Sequence, residues 1–337
     1  MKTYHWQSPS NIALVKYWGK HGIQLPANPS ISFTLDKCLT DTKLVLRPRQ
    51  EDRVNFRFEG NERPDFIPKI QSFVDRIEPL IPFIQDYSLD IESRNTFPHS
   101  SGIASSASSM SALAMCLASA SVDENGGEID LQLASEMARL GSGSACRSVY
   151  GGYTLWGRTQ HFSNSSDRYA LPVLEIHKEF KDLQDTILLI DEGEKQVSSS
   201  VGHELMNSHP FADSRYVQAQ SNIQKLLSVQ DNGDFMELAE IIESEALTLH
   251  AMMLTSSPHF ILFKPGSVSV IRRVMELRQM GQPMTFTLDA GANVHLIYPE
   301  SFAQKALDII NEEFVGFCQN GAYICDSIGS GPKQLDL

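Results

Sequence analysis

The chain has 337 residues, 42% hydrophobic and 20% charged, enough for one large domain or two lobes around a cleft. Its 28 basic and 41 acidic residues leave a net charge of −13, which excludes the broad basic face that attracts nucleic acid or anionic lipid. Five scattered cysteines (Cys38, Cys116, Cys146, Cys318 and Cys325) form no Cys-x-x-Cys pair, the start lacks an apolar signal-peptide core, and no stretch approaches the ~20 apolar residues of a membrane span, so a cytoplasmic protein is expected.

From Tyr4 to about Arg94 the signals are mainly β. Val54–Phe58 alternates apolar and polar residues, and Lys43–Leu46 and Tyr87–Ile91 read similarly. Phe66, Ile70, Phe73, Val74 and Ile77 fall at helical spacing between them. The Ala/Ser-rich run from Ala104 to about Ala120 predicts a second helix, and Leu131–Arg139 a third. Strand character returns at Tyr150–Trp156 and Thr186–Ile190. Helical patterns then cover Tyr216–Leu227, Phe235–Met253 and Val270–Gln279, with strands at Met284–Leu288, Val294–Tyr298 and Tyr323–Ile328. The expected fold is α+β in two lobes, 1–187 and 188–337, with antiparallel sheet in both.

Four segments carry chemistry. Asn95-Thr96-Phe97-Pro98-His99-Ser100-Ser101-Gly102 leads from a strand into the helix that opens Ala104-Ser105-Ser106. Gly102 lets a ligand approach the main chain, and Ser100, Ser101, Ser105 and Ser106 add hydroxyls to the free N–H groups of the first helical turn, as a phosphate cradle requires. A Ser-capped helix packed on a sheet would read the same way locally. Ser8 to Lys20 places Lys16 and Lys20 just past an apolar strand, where a lone lysine is usually only a strand-end charge. Gly141-Ser142-Gly143-Ser144-Ala145-Cys146-Arg147 combines small residues with a planar fork suited to carboxylate or phosphate, or is a flexible turn with a solvated arginine. Thr287-Leu288-Asp289-Ala290-Gly291 sets one carboxylate at a strand end, a position most often filled by a turn-former. The ten histidines show no ligand spacing, so no dedicated transition-metal site is expected.

Taken in order, Ser10–Lys20, Phe97-Pro98-x3-Gly102–Ala107, Gly141–Ser148 and Asp289-Ala290-Gly291-x-Asn293 resemble the motifs of diphosphomevalonate decarboxylases. That family lies within the galactokinase, homoserine kinase and mevalonate kinase superfamily. The likeness runs from residue 8 to about 298. It implies an N-terminal, ribosomal-protein-S5-like, ATP-binding lobe and a ferredoxin-like C-terminal lobe, with the active site in the cleft. It also implies a lyase of the mevalonate pathway and isoprenoid (lipid) biosynthesis. This lyase would convert mevalonate 5-diphosphate and ATP into isopentenyl diphosphate, ADP, phosphate and carbon dioxide, with Mg²⁺ accompanying ATP.

On that resemblance, Asp289, Lys16 and Arg147 are the catalytic candidates. Tyr17, Lys20, Ser142, Gly143, Ser144, Arg147 and Ser199 would bind substrate, and Asn95, Pro98, Ser100, Ser101, Gly102, Ser105 and Ser106 would bind ATP. Ser200 stands where some relatives have Arg or Thr, which keeps a phosphomevalonate decarboxylase as the alternative, beside a small-molecule kinase that stops at phosphorylation. Relatives that only phosphorylate mevalonate lack the aspartate that this chain keeps as Asp289. A reading of a different class is a catalytically silent paralogue acting as a binding module. The expected partners are a small anionic substrate and a possible homodimer, with no nucleic acid and no membrane.

Overall fold

The protein is described as a computed structural model over residues 1–98, 103–191, 193 and 198–336. The strands are β1 (Lys2–Val15), β2 (Lys20–His21), β3 (Leu25–Pro26), β4 (Ser30–Pro48), β5 (Val54–Phe58), β6 (Asn61–Glu62), β7 (Tyr87–Asn95), β8 (Tyr153–Trp156), β9 (Ala170–Pro172), β10 (Leu183–Leu188), β11 (Thr285–Thr287), β12 (Val294–Pro299), β13 (Tyr323–Ser327) and β14 (Lys333–Gln334). The helices are α1 (Ile67–Ile77), α2 (Ser105–Asn125), α3 (Leu131–Gly141), α4 (Ser199–Leu205), α5 (Ala212–Asn232), α6 (Phe235–Thr255), α7 (Pro265–Gln279) and α8 (Ala303–Ile309).

The N-terminal sheet runs β14-β1-β4-β7-β5-β6, with β8 and β9 continuing from β4. Its pairings are antiparallel except β5 with β7, which is parallel because α1 carries the chain across between them. That is the one departure from the antiparallel sheet expected of this lobe. The second sheet, β11-β12-β10-β13, is antiparallel throughout. The chain passes from the first sheet to the second between β9 and β10, and the last strand, β14, returns to pair with β1.

Small residues let α2 sink into the N-terminal core. Ala107, Ala112, Ala114, Ala118 and Ala120 are buried on several sides of the helix, so main chain approaches sheet closely. Trp6 Nε1 donates to Ser119 Oγ at 2.8 Å, and the Thr40 and Ser108 hydroxyls bond at 2.6 Å, which satisfies polar groups that burial would otherwise strand. The two long helices of the second lobe are tied off where they meet, one by a side chain and one by a glycine. Asp234 caps α6 by accepting from the Met236 and Glu237 N–H groups, and Gly233, at φ +72°, ends α5 in the left-handed region.

The lobes are joined by a buried carboxylate. Asp326 on β13 accepts the N–H groups of Asp36, Lys37 and Cys38, at 2.8–2.9 Å, where β4 is irregular. No helix among the described residues is long and apolar enough to cross a membrane.

Candidate active site

A cavity of about 520 Å³ opens between the lobes. Its lining brings together Lys16, Tyr17, Lys20, Ser105, Ser106, Ser142, Gly143, Ser144, Arg147 and Asp289, so ten sequence-derived candidates from four distant segments share one wall. A wider depression of about 760 Å³ near Arg158 and Tyr169 is surface relief, and its only arginine already faces Asp167 at 3.8 Å.

Lys16 follows the last residue of β1, and Asp289 lies two residues past β11. Lys16 Nζ meets Asp289 Oδ1 at 2.9 Å. The lysine side chain is 1% exposed and the aspartate 27%, so the carboxylate faces the cavity while its cation is sealed behind it.

Arg147 sits in a 3₁₀ run, Gly143–Val149, rather than the open turn that its Gly/Ser content allows. The run is pinned by Asn11, whose Nδ2 donates to Ser144 O at 3.2 Å and Ser148 Oγ at 2.7 Å. The guanidinium is buried and donates only to neutral groups: Ser30 Oγ (2.6 Å), Ser32 Oγ (2.9 Å) and Asn11 Oδ1. Burial lowers its pKa from the usual arginine value. Among the described residues no carboxylate forms an ion pair with it. Its hydrogen bonds go only to neutral groups and the Asp289 carboxylate acts on it only through space, so the guanidinium can still take an anion into its shell.

Tyr17 is buried with a hydroxyl that finds no hydrogen-bond partner among the described residues, and burial raises its pKa. Gly143 lies flat beneath it, where a Cβ would stand 2.8 Å from the Tyr17 hydroxyl oxygen. Lys20 rides on the β2–β3 hairpin, whose Ile23 carbonyl accepts from buried Arg139 at 2.6 Å. Ser105 opens α2, so the positive end of that helix points into the cavity, and the Ser106 and Ser142 hydroxyls lie 3.2 Å apart there.

Several lining residues were not anticipated. Lys69 on α1 lies near Lys20. Its pKa is lowered by desolvation and by the neighbouring Lys20 charge. His203 on α4 accepts the Gly19 N–H at Nδ1 (3.0 Å) and packs in tilted ring contacts against Tyr17 and Trp18. Burial, then Lys20 and Arg147, push its pKa down to about 3, so it is neutral with its proton on Nε2. Neither residue has a spacing that distinguishes it from an ordinary helix surface.

Other candidates fall elsewhere. Asn95 ends β7 with its Oδ1 accepting from Thr40, and neither it nor Pro98 lines the cavity. Ser100, Ser101 and Gly102 lie outside the described residues, as does the Ser199 side chain; the Ser199 main chain opens α4.

The whole chain matches known proteins along its length. A mevalonate diphosphate decarboxylase from Staphylococcus aureus superposes with a TM-score of 0.87 at 31% identity, covering 99% of this chain and 98% of that one. The chain belongs to the diphosphomevalonate decarboxylase family. Residues 8–170 match the diphosphomevalonate decarboxylase-like N-terminal domain, and residues 186–333 the mevalonate 5-diphosphate decarboxylase C-terminal domain. The Candida albicans diphosphomevalonate decarboxylase is 28% identical across 91% of this chain and 87% of its own length. A structure of MDDEF in complex with MVAPP, AMPPCP and magnesium aligns over 99% of both chains, at 28% identity and a TM-score of 0.86.

Proposed function

We propose that this decarboxylase-family chain converts mevalonate 5-diphosphate and ATP into isopentenyl diphosphate, ADP, phosphate and carbon dioxide. The observation that carries the reading is the Lys16–Asp289 pair at 2.9 Å in the same cavity as Arg147, a buried cation whose hydrogen bonds go only to neutral groups.

The substrate's tertiary hydroxyl is a poor leaving group, so it must first become a phosphate ester. Asp289 orients that hydroxyl and takes its proton as the oxygen attacks the γ-phosphorus of ATP and the bond to ADP breaks. Lys16 holds the carboxylate in place through a charge-assisted hydrogen bond at 2.9 Å. The new phosphate then departs with the C–O bonding pair. The pair of the C–CO₂ bond moves in to form the double bond, and carbon dioxide leaves. Arg147 holds the substrate carboxylate in line for that departure, in a setting where water cannot weaken the interaction.

Lys20, Lys69 and the start of α2 supply positive potential for the substrate and nucleotide phosphates in an otherwise acidic protein. Hard oxygen donors suit Mg²⁺, and among the described residues no three His, Cys, Asp or Glu converge to cage it. The ion would therefore be held mainly by the nucleotide phosphates, with a hydroxyl such as that of Ser106 at the start of α2, where it would supply charge neutralisation for phosphoryl transfer. The enzyme is read as cytoplasmic, and a homodimer would be revealed by sedimentation.

The test incubates the full chain with ATP and either mevalonate 5-diphosphate or mevalonate 5-phosphate, with ADP and carbon dioxide followed together. Stoichiometric release of both from the diphosphate is expected. Preference for the monophosphate would move the substrate assignment to Ser200, a neutral residue lining the cavity. ADP without carbon dioxide would leave only a kinase.

A further inference from the structure

The Lys16–Asp289 contact joins residues 273 positions apart, on different lobes, and neither residue lies inside a strand that could fix it by ladder bonds alone. A single helix reaches both, although the Asp289 carbonyl also accepts the N–H of Gly291 at 2.7 Å within its own turn. Glu245 on α6 is fully buried, and its Oε2 accepts the Lys16 N–H at 2.9 Å. Arg215 on α5 closes the same ring. Its Nη2 donates to Glu245 Oε2 (2.5 Å) and to the Lys16 carbonyl (3.0 Å), and its Nη1 donates to Glu245 Oε1 (3.1 Å). Asn222 Nδ2 satisfies Oε1 further at 2.6 Å, and Asn28 Nδ2 bonds the Lys16 carbonyl at 2.8 Å from the other lobe. Both main-chain groups of Lys16 are thus held by side chains.

Five residues further along α6, about 7.5 Å of helical rise, stands His250. Its Nε2 lies 3.1 Å from the Asp289 carbonyl oxygen. A carbonyl only accepts, so the imidazole donates from Nε2. The ring is buried and stacked on Phe263 (centroids 4.0 Å apart, planes at 12°), which leaves it little freedom to turn.

We propose that α6 sets the spacing of the catalytic pair, with Glu245, seconded by Arg215, and His250 as positioning residues that hold the main chains of Lys16 and Asp289. A buried, satisfied ion pair is rigid, and a side chain gripping a peptide on the other lobe transmits that rigidity across the cleft. A misplacement of about 1 Å at reacting groups can cost about a hundredfold in rate, so a device of this kind acts on turnover. Substrate affinity, which rests on Arg147, Tyr17 and the cationic rim, is left nearly unchanged. The inference rests on Asp289 serving the reaction as read above.

The test is a double-mutant cycle on the full chain with ATP and mevalonate 5-diphosphate. His250→Phe keeps volume and stacking and removes one hydrogen bond. Glu245→Gln combined with Arg215→Met removes both charges together, so no lone ion is left buried. Each is measured alone and in Asp289→Asn, with folding followed by circular dichroism. We expect each to lower kcat at least tenfold, with KM for both substrates changed less than threefold, in the native background. In Asp289→Asn, where there is no pair left to align, the same changes should alter the residual rate less than twofold.

Equal losses in both backgrounds, losses confined to KM, or undiminished kcat would overturn the proposal. Unfolding of the Glu245/Arg215 variant leaves the decision to His250→Phe, and unfolding of both would also overturn it. Full turnover by Asp289→Asn alone would instead refute the role of Asp289, an outcome distinct from failure of the clamp.

Discussion

The guanidinium of Arg147 rests against the side-chain oxygen of Asn11, 3.3 Å from Nε and 3.1 Å from Nη2, with both side chains buried. Asn11 also holds the segment that carries Arg147, so one amide fixes both the backbone and the fork.

Arg147→Lys should therefore not be conservative. An ammonium cannot reach Ser30, Ser32 and Asn11 in one plane and still present two parallel donors to a carboxylate. Losing one charged hydrogen-bond set is worth about 1.5–3 kcal/mol, so kcat/KM should fall by roughly 10–150-fold, divided between a higher KM for the acid substrate and a lower kcat. Steady-state kinetics checks this, and an effect on ATP affinity alone would reassign the ligand of Arg147.

Gly143→Ala should crowd the substrate pocket without touching a charged group. The added methyl would stand 2.8 Å from the Tyr17 hydroxyl and 3.0 Å from the Trp156 ring, so Tyr17 must shift into the cavity. Such overpacking costs about 1–3 kcal/mol. A lowered melting temperature is expected together with a several-fold rise in KM for mevalonate 5-diphosphate.

Two buried histidines set an acid limit on stability. Burial, with Lys20 and Arg147 adding to it at His203, lowers that pKa to about 3; burial lowers His250 to about 4. Unfolded histidine titrates near 6.5. Because the folded values lie lower, the stability these residues confer is complete above pH 6.5. As the pH falls below 6.5 the unfolded chain takes up protons that the folded one refuses, and the contribution is lost down to about pH 4 for His250 and about 3 for His203. Each histidine removes about 1.4 kcal/mol per pH unit within its window. Denaturant unfolding at pH 6.5 and pH 5 should show His250→Phe losing about 2 kcal/mol less than the unmodified protein over that interval.

Much of this was legible in the sequence where periodicity was clean. The alternation at Val54–Phe58 gives β5 to the residue, and Phe66 through Ile77 give α1 within one residue. β1 was harder to bound because buried Ser8, Ser10 and Asn11 interrupt its apolar pattern and Pro9 sits at a register shift. The helix α8 went unread; its buried Ala306, Ile310 and Phe314 lie on a face that turns where a π-helical segment follows at Ile310–Phe314. The parallel pairing of β5 with β7 and the return of β14 to β1 are long-range choices that no local pattern encodes.

At the site, motif blocks brought Lys16, Arg147 and Asp289 forward, whereas Glu245 and Arg215 look like surface charges on helices. The signal that could have found them is positional. Arg215, Ala219, Asn222, Ile223 and Leu226 share the buried face of α5, where an arginine demands a partner.

The account turns on what Asp289 does while Lys16 holds it. The direct measurement is carbon dioxide release by full-length Asp289→Asn given ATP and mevalonate 5-diphosphate, paired with calorimetric binding of each substrate. We predict turnover lowered by roughly 10²–10⁴ with both Kd values essentially unchanged. Undiminished carbon dioxide release from that variant would contradict the account.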